Sequence, residues 1–156
     1  MDFLDTLDNL GISTWVRESP SKLAYPTVLW LHVVGMGVVA GISGVISLRL
    51  LGFSPKIPVQ PLERLYPLIW WGFWVNAVTG TALLLASASK RLVDPTFYVK
   101  MVFIFAGVAV LRLTRNKVFR SLGPDGALPE NAKALAWAGL ICWLGAVTAG
   151  RLLAYL

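Results

Sequence analysis

The chain has 156 residues, of which 56% are hydrophobic and only 14% are charged, and its formal net charge is +6. Soluble domains usually carry about a quarter charged residues, so this composition excludes an ordinary soluble protein and indicates an integral membrane protein. In a membrane protein the positive charge sets orientation and meets anionic headgroups, and no nucleic-acid partner is expected. Cys142 is the only cysteine, which rules out an internal disulfide.

The N-terminal stretch, residues 1–20, combines apolar residues at helical spacing with Asp2, Asp5 and Asp8 between them. This pattern predicts an amphipathic helix that lies in the membrane interface. A helical cap packed on the membrane-spanning helices would produce the same pattern.

The first uncharged stretch, at about residues 25–48, is long enough to cross a bilayer, which needs about twenty apolar residues. It contains the only histidine, His32, which lies roughly 9 Å along the helix from Pro26. An ionisable ring at that depth must face protein or water rather than lipid. Gly37 and Gly41 form a G-x-x-x-G step in the same span, which predicts the close approach of another helix.

Three further apolar stretches follow, at about residues 65–89, 96–114 and 132–155. The stretch 96–114 is the weakest, because Lys100 and Arg112 fall inside its ends, where long side chains can reach the headgroups. The four stretches predict one all-α domain over the whole chain, a four-helix transmembrane bundle with an N-terminal interfacial helix.

The basic residues indicate an orientation in the bacterial inner membrane. Six of them fall on the side of the N-terminus: Arg17, Lys22, Lys90, Arg91, Lys100 and Arg151. Eight fall on the other side: Arg49, Lys56, Arg64, Arg112, Arg115, Lys117, Arg120 and Lys133. Because cytoplasmic loops carry the excess of basic residues, both termini are predicted to be periplasmic.

A polar site is predicted near one face of the membrane. Because consecutive spans run antiparallel, His32, Lys100 and Arg151 fall at comparable depths. Asn76 and Thr79 lie in the half of the second span that points to the same face. A ring, two cations and two neutral polar groups suit a cofactor with a metal and carboxylates. The alternatives are cations that only reach lipid phosphate and a histidine that only hydrogen-bonds a neighbouring helix.

Two metal readings of His32 stay open. His32 and Met36, at i and i+4, share one helix face. They suit copper(I), which prefers soft sulfur, with Met101 or Cys142 completing the site. They cannot be the two opposite axial ligands of one haem, since both approach from the same side. A haem b on His32 is therefore five-coordinate, takes a second ligand such as Met101, or bridges two copies of the chain.

Short motifs carry a resemblance to a known family: YPxxxxLHxxG at 25–35, LRLLG at 48–52, FxxK at 97–100 and GRLLAY at 150–155. With them the chain resembles a family of small four-helix bacterial inner-membrane proteins. That family is distantly similar to the copper-resistance D proteins and, in architecture, to four-helix b-type cytochromes. The resemblance implies the fold and leaves the activity open. The family pattern has acidic residues where this chain has Leu29 and Ser47, which weakens a role in cation transport.

The sequence favours a non-catalytic inner-membrane subunit that binds haem b through His32, for electron transfer or as part of a larger complex. One alternative is a copper ion transporter or carrier that uses His32 and Met36. Another is a cofactor-free anchor or scaffold for other membrane subunits or for a second copy of the chain. The sequence has no Ser-His-Asp set and no HExxH motif, so nothing favours hydrolysis.

Overall fold

The computed structural model of this chain describes residues 24–122, 127–153 and 155. The predicted interfacial helix over residues 1–20 lies outside these residues. Five α-helices occur in the described ranges: α1 Ala24–Leu50, α2 Tyr66–Leu85, α3 Ala88–Arg91, α4 Pro95–Lys117 and α5 Ala132–Leu152. Two 3₁₀ helices adjoin them, Gln60–Leu65 before α2 and Phe119–Ser121 after α4.

Four helical stretches are long and apolar enough to cross a membrane: Tyr25–Leu50, Gln60–Leu85, Pro95–Ser121 and Ala132–Leu152. This finding confirms the prediction of an all-helical protein with four candidate spans. The second stretch differs from the predicted 65–89, because α2 ends at Leu85 and the short α3 follows. Ser87, with φ −150° and ψ 41°, leaves the helical conformation and separates the two helices.

The turns between the helices have identifiable causes. After α1, Gly52 adopts φ +104°, a conformation that costs glycine little. The Arg49 side chain donates to two backbone carbonyls of the loop that follows. At the start of α4, the Asp94 carboxylate accepts a hydrogen bond from the Thr96 backbone N–H at 2.8 Å, as an N-cap should.

The central helix is α1, which packs against both α2 and α5, while α5 packs against α4. Val39 and Ile46 of α1 are buried, and they share the core with Ile69 of α2 and Trp143 of α5. The four long helices therefore pack side by side in the order α2–α1–α5–α4. This order matters for function, because it places His32 of α1 directly beside α2.

Glycine lets α1 and α2 approach each other closely. A Cβ added to Gly35 would lie 2.9 Å from both the Gly72 carbonyl oxygen and the Asn76 backbone nitrogen. A Cβ added to Gly37 or Gly41 would meet no atom within 4 Å. The predicted close approach at Gly37 and Gly41 is therefore wrong within the described chain. Two residues correspond to about 200° around a helix, so Gly37 faces away from the neighbour that Gly35 touches.

Candidate functional site at His32

The His32 ring is half-buried and lies against the backbone of α2. A Cβ added to Gly80 would lie 2.9 Å from ring atom Cε1 and 3.3 Å from Nδ1. Any larger residue at Gly80 would therefore occupy the space of the ring. The absence of a side chain there is what allows the Nδ1–Cε1 edge to contact α2.

Two acceptors on α2 hold the Nδ1 atom of His32. The Asn76 backbone oxygen lies 3.1 Å from Nδ1, and the Thr79 hydroxyl oxygen lies 3.2 Å from it. A carbonyl only accepts hydrogen bonds, so Nδ1 carries a hydrogen and donates it. The Thr79 hydroxyl donates to the Val75 carbonyl at 2.6 Å, which leaves its oxygen as a second acceptor for the ring. In a neutral imidazole the lone pair is then on Nε2.

Asn76 contacts His32 a second time, through its side chain. Its Nδ2 donates to the His32 backbone carbonyl at 2.8 Å. The two residues thus exchange hydrogen bonds in both directions, from ring to carbonyl and from amide to carbonyl. This exchange fixes both the rotation of the ring and the register of α1 against α2.

Two cations lie near the ring. Lys100 of α4 is half-buried, and its Cε is 3.4 Å from where a Cβ on Gly150 would be. The positive charges of Lys100 and Arg91 both lie within electrostatic reach of His32. The Nε of Arg91 is buried and has no hydrogen-bond partner. From the sequence, Arg91 is predicted only to help set the membrane orientation. Its buried Nε could not be predicted, because the pattern of residues does not reveal the short helix α3.

The other residues predicted for the site make contacts with groups other than the His32 ring. Arg151 is exposed, and its guanidinium lies 5.5 Å from the centre of the Tyr155 ring. Met36 is half-buried and packs against the hydrophobic core. Cys142 lies at the contact of α4 and α5, where its Cβ is 3.5 Å from the position of a Cβ on Gly107. Gly107 is seven residues beyond Lys100 on α4, so Cys142 lies deeper than the predicted site.

Met101 follows Lys100 on α4 and is half-buried. Among the residues that the structure describes, no three side chains of the His, Cys, Asp or Glu types come together as a metal site. The described chain therefore offers one imidazole at this level, with thioether sulfur on the same helix and on α4. Its cations are better suited to carboxylates than to a bare metal ion.

The arrangement of His32 has a definite chemical capacity. Histidines that ligate metals usually donate their other ring N–H to a carbonyl or carboxylate, which fixes the tautomer. The same arrangement leaves Nε2 as a proton acceptor. Searches against family models, curated proteins and solved structures find no match to this chain.

Proposed function

We propose that this protein spans the bacterial inner membrane as a four-helix bundle with both termini in the periplasm. The four long apolar helices and the basic residues that flank α4 support this topology. A reporter fused after Arg120 tests it. Activity of a cytoplasmic reporter is expected there, and activity of a periplasmic reporter would contradict the topology.

Within this topology, the protein is proposed to act as a non-catalytic subunit that binds haem b through Nε2 of His32. It would serve electron transfer, alone or in a larger membrane complex. The observation that carries the proposal is the hydrogen bond from Nδ1 to the Asn76 carbonyl. That bond puts the lone pair on Nε2 and prevents ring rotation, so the ligand atom is oriented before anything binds. When bound, haem supplies one-electron redox chemistry.

The cations near His32 fit the two carboxylates of a haem. Lys100 and Arg91 bring positive charge to the level of the ring, and Arg91 has a buried donor without a partner. A buried donor of this kind is costly unless an acceptor satisfies it. Arg151 is the weaker candidate for this role, because its guanidinium lies over Tyr155.

A copper site at His32 is the second candidate. Met36 stands one helical turn after His32 on α1, so the two residues share one helix face. The packing of Met36 against the hydrophobic core counts against this reading, since the side chain is already in contact with protein. A cofactor-free anchor is the remaining reading, and it requires neither ligand.

An absorption spectrum and a metal analysis of the gently purified protein separate these readings. A Soret band is expected, and His32→Ala should abolish it while the protein stays inserted and helical. Met36→Leu is the matched control, because it should leave the haem spectrum unchanged. Stoichiometric copper that Met36→Leu removes would establish the copper reading. If the purified protein shows no Soret band and holds no copper, the cofactor-free anchor is the reading that stands.

A comparison of Lys100 with Arg151 tests which cation contacts the haem carboxylates. Lys100→Gln should speed the loss of haem in detergent more than Arg151→Gln does, because the charge of Lys100 acts on His32 whereas the Arg151 guanidinium lies over the Tyr155 ring. Both variants should keep the spectral shape, since neither residue ligates the iron. Faster haem loss in the Arg151 variant would contradict the assignment.

A further inference from the structure

A second polar site lies at the other end of the helices from His32. There the 3₁₀ helix Gln60–Leu65 and the start of α2 meet the end of α4. A pocket of about 630 Å³ opens between them, lined by Gln60, Pro61, Glu63, Arg64, Pro67 and Arg115. It shares no residue with the site at His32.

Arg115, one of the two arginines that line this pocket, is held in a defined position. Nε of Arg115 lies 3.2 Å from a carboxylate oxygen of Glu63, and the guanidinium lies 5.5 Å from the centre of the Tyr66 ring. Tyr66 is itself buried, and its hydroxyl donates to the Leu111 carbonyl at 3.3 Å. The bond to Glu63 uses Nε, so the two terminal nitrogens of Arg115 can donate to another acceptor. Terminal nitrogens in this geometry suit the paired oxygens of a phosphate.

The charge of the pocket is positive. Two arginines, Arg64 and Arg115, and one carboxylate, that of Glu63, line the pocket, so one positive charge is in excess. The ion pair is partly exposed, with 42% of the Arg115 side chain and 34% of the Glu63 side chain accessible. An ion pair of this kind contributes little to stability. A ligand that competes with Glu63 for Arg115 would therefore cost the fold little stability.

The position of the pocket identifies the source of that ligand. The candidate span Gln60–Leu85 begins at the pocket, and the candidate span Pro95–Ser121 ends near it. Phosphate groups of lipids lie at this depth of a bilayer. Immediately below, α2 exposes large apolar side chains, with Leu68 51% and Trp71 72% accessible. A headgroup site thus adjoins a surface that acyl chains can cover.

We propose that this pocket binds the phosphate of an anionic glycerophospholipid, with Arg64 and Arg115 as the phosphate contacts. Basic pockets between membrane helices are suited to such headgroups. The apolar surface of α2 favours a lipid over free phosphate, because only the lipid gains from contact with Leu68 and Trp71. The site is independent of His32 and of any cofactor.

Competition between two lipids tests the proposal. Purified protein is incubated with equal amounts of phosphatidylglycerol and phosphatidylcholine, and the bound lipids are counted by native mass spectrometry. Phosphatidylglycerol should be retained in preference. Arg64→Ala should lower its retention roughly fivefold, the effect of one cation at a membrane surface. Glu63→Gln should raise it, because a repelling charge is removed while the amide oxygen still accepts from Arg115.

Lys117→Ala is the matched control, since Lys117 is an exposed cation of α4 that does not line the pocket. It should leave retention unchanged, and circular dichroism should show every variant to be helical. Equal retention of the two lipids would overturn the proposal, as would equal losses in the Arg64 and Lys117 variants or a loss in Glu63→Gln. Displacement of the bound lipid by inorganic phosphate would show that the pocket takes free phosphate instead.

Discussion

The contact between α1 and α2 and the contact between α4 and α5 are built differently. Glycine allows close approach in both. On the α4–α5 side, a Cβ on Gly107 would lie 3.1 Å from the Trp143 ring, and one on Gly145 would overlap the Phe103 ring. These contacts are apolar, and within the described residues no side-chain hydrogen bond links α4 to α5.

The α1–α2 contact adds polar groups to the same kind of packing. Gly35 and Gly72 bring the backbones together, and His32, Asn76 and Thr79 then form hydrogen bonds across the two helices. Since glycine packing holds α4 to α5 without such bonds, the polar groups are not needed for pairing. Their effect is to hold the His32 ring in one orientation and to fix the register of α1 against α2. The comparison therefore assigns close packing to the glycines and the orientation of the His32 ring to the polar groups.

The largest expected effect is on packing at Gly35. Gly35→Ala places a Cβ against backbone atoms of α2, which cannot move aside as a side chain can. Overpacking of this kind costs about 1–3 kcal/mol. We expect this loss in the free energy of unfolding, measured by denaturant titration in mixed micelles. Gly37→Ala is the control, because a Cβ there meets no atom within 4 Å. Equal destabilisation by the two variants would contradict the packing assignment.

A second prediction separates orientation from packing. Gly80→Ala should push the His32 ring away from Asn76 and change the ¹⁵N spectrum of the histidine. Gly145→Ala should destabilise the protein through Phe103 and leave that spectrum unaltered. The same histidine spectrum in the Gly80 variant and in the parent protein would show that the ring is not held against α2.

Asn76→Ala should have an intermediate effect, because it removes the amide that bonds to the His32 carbonyl. Side-chain hydrogen bonds between membrane helices contribute about 0.6 kcal/mol on average and at most about 1.7. A loss within that range is expected in the same denaturant titration. Asn116→Ala, an exposed position on α4, should change nothing. A loss above the range would mean that the polar set is required for pairing.

The smallest effect is expected for Thr79→Val. Thr79 and Thr81 both donate to the carbonyl four residues earlier on α2, but only Thr79 also reaches Nδ1 of His32. Thr79→Val should therefore alter the histidine spectrum with little loss of stability, while Thr81→Val should alter neither. An unaltered spectrum in both variants would remove Thr79 from the site.

The features that could be predicted from the sequence depend on the length of the apolar stretches and on the depth of residues along the helices. Uncharged stretches of membrane-spanning length are visible without knowledge of packing, so the four helices were predictable. Depth along antiparallel helices also put Asn76 and Thr79 level with His32, and the structure shows all three in contact. The haem itself stays a prediction.

The sequence could not predict which side of a helix faces inward. Lipid is as apolar as the protein interior, so α1 has apolar residues on every side and no stripe marks its packed face. For that reason the G-x-x-x-G pattern indicates Gly37, whereas Gly35 makes the contact. The effect of the Arg91 charge on His32 could not be predicted either, because it depends on the break in the helix at Ser87.

The most direct test of the account is the position of the hydrogen on the His32 ring. His32 is the only histidine of the chain, so ¹⁵N-histidine labelling gives one pair of ring signals. At a pH where the ring is neutral, the account predicts a one-bond N–H coupling at Nδ1 and an unprotonated Nε2 whose signal shifts when haem is added. A hydrogen on Nε2, or rapid averaging between the two tautomers, would contradict the claim that α2 holds this ring ready to bind a ligand.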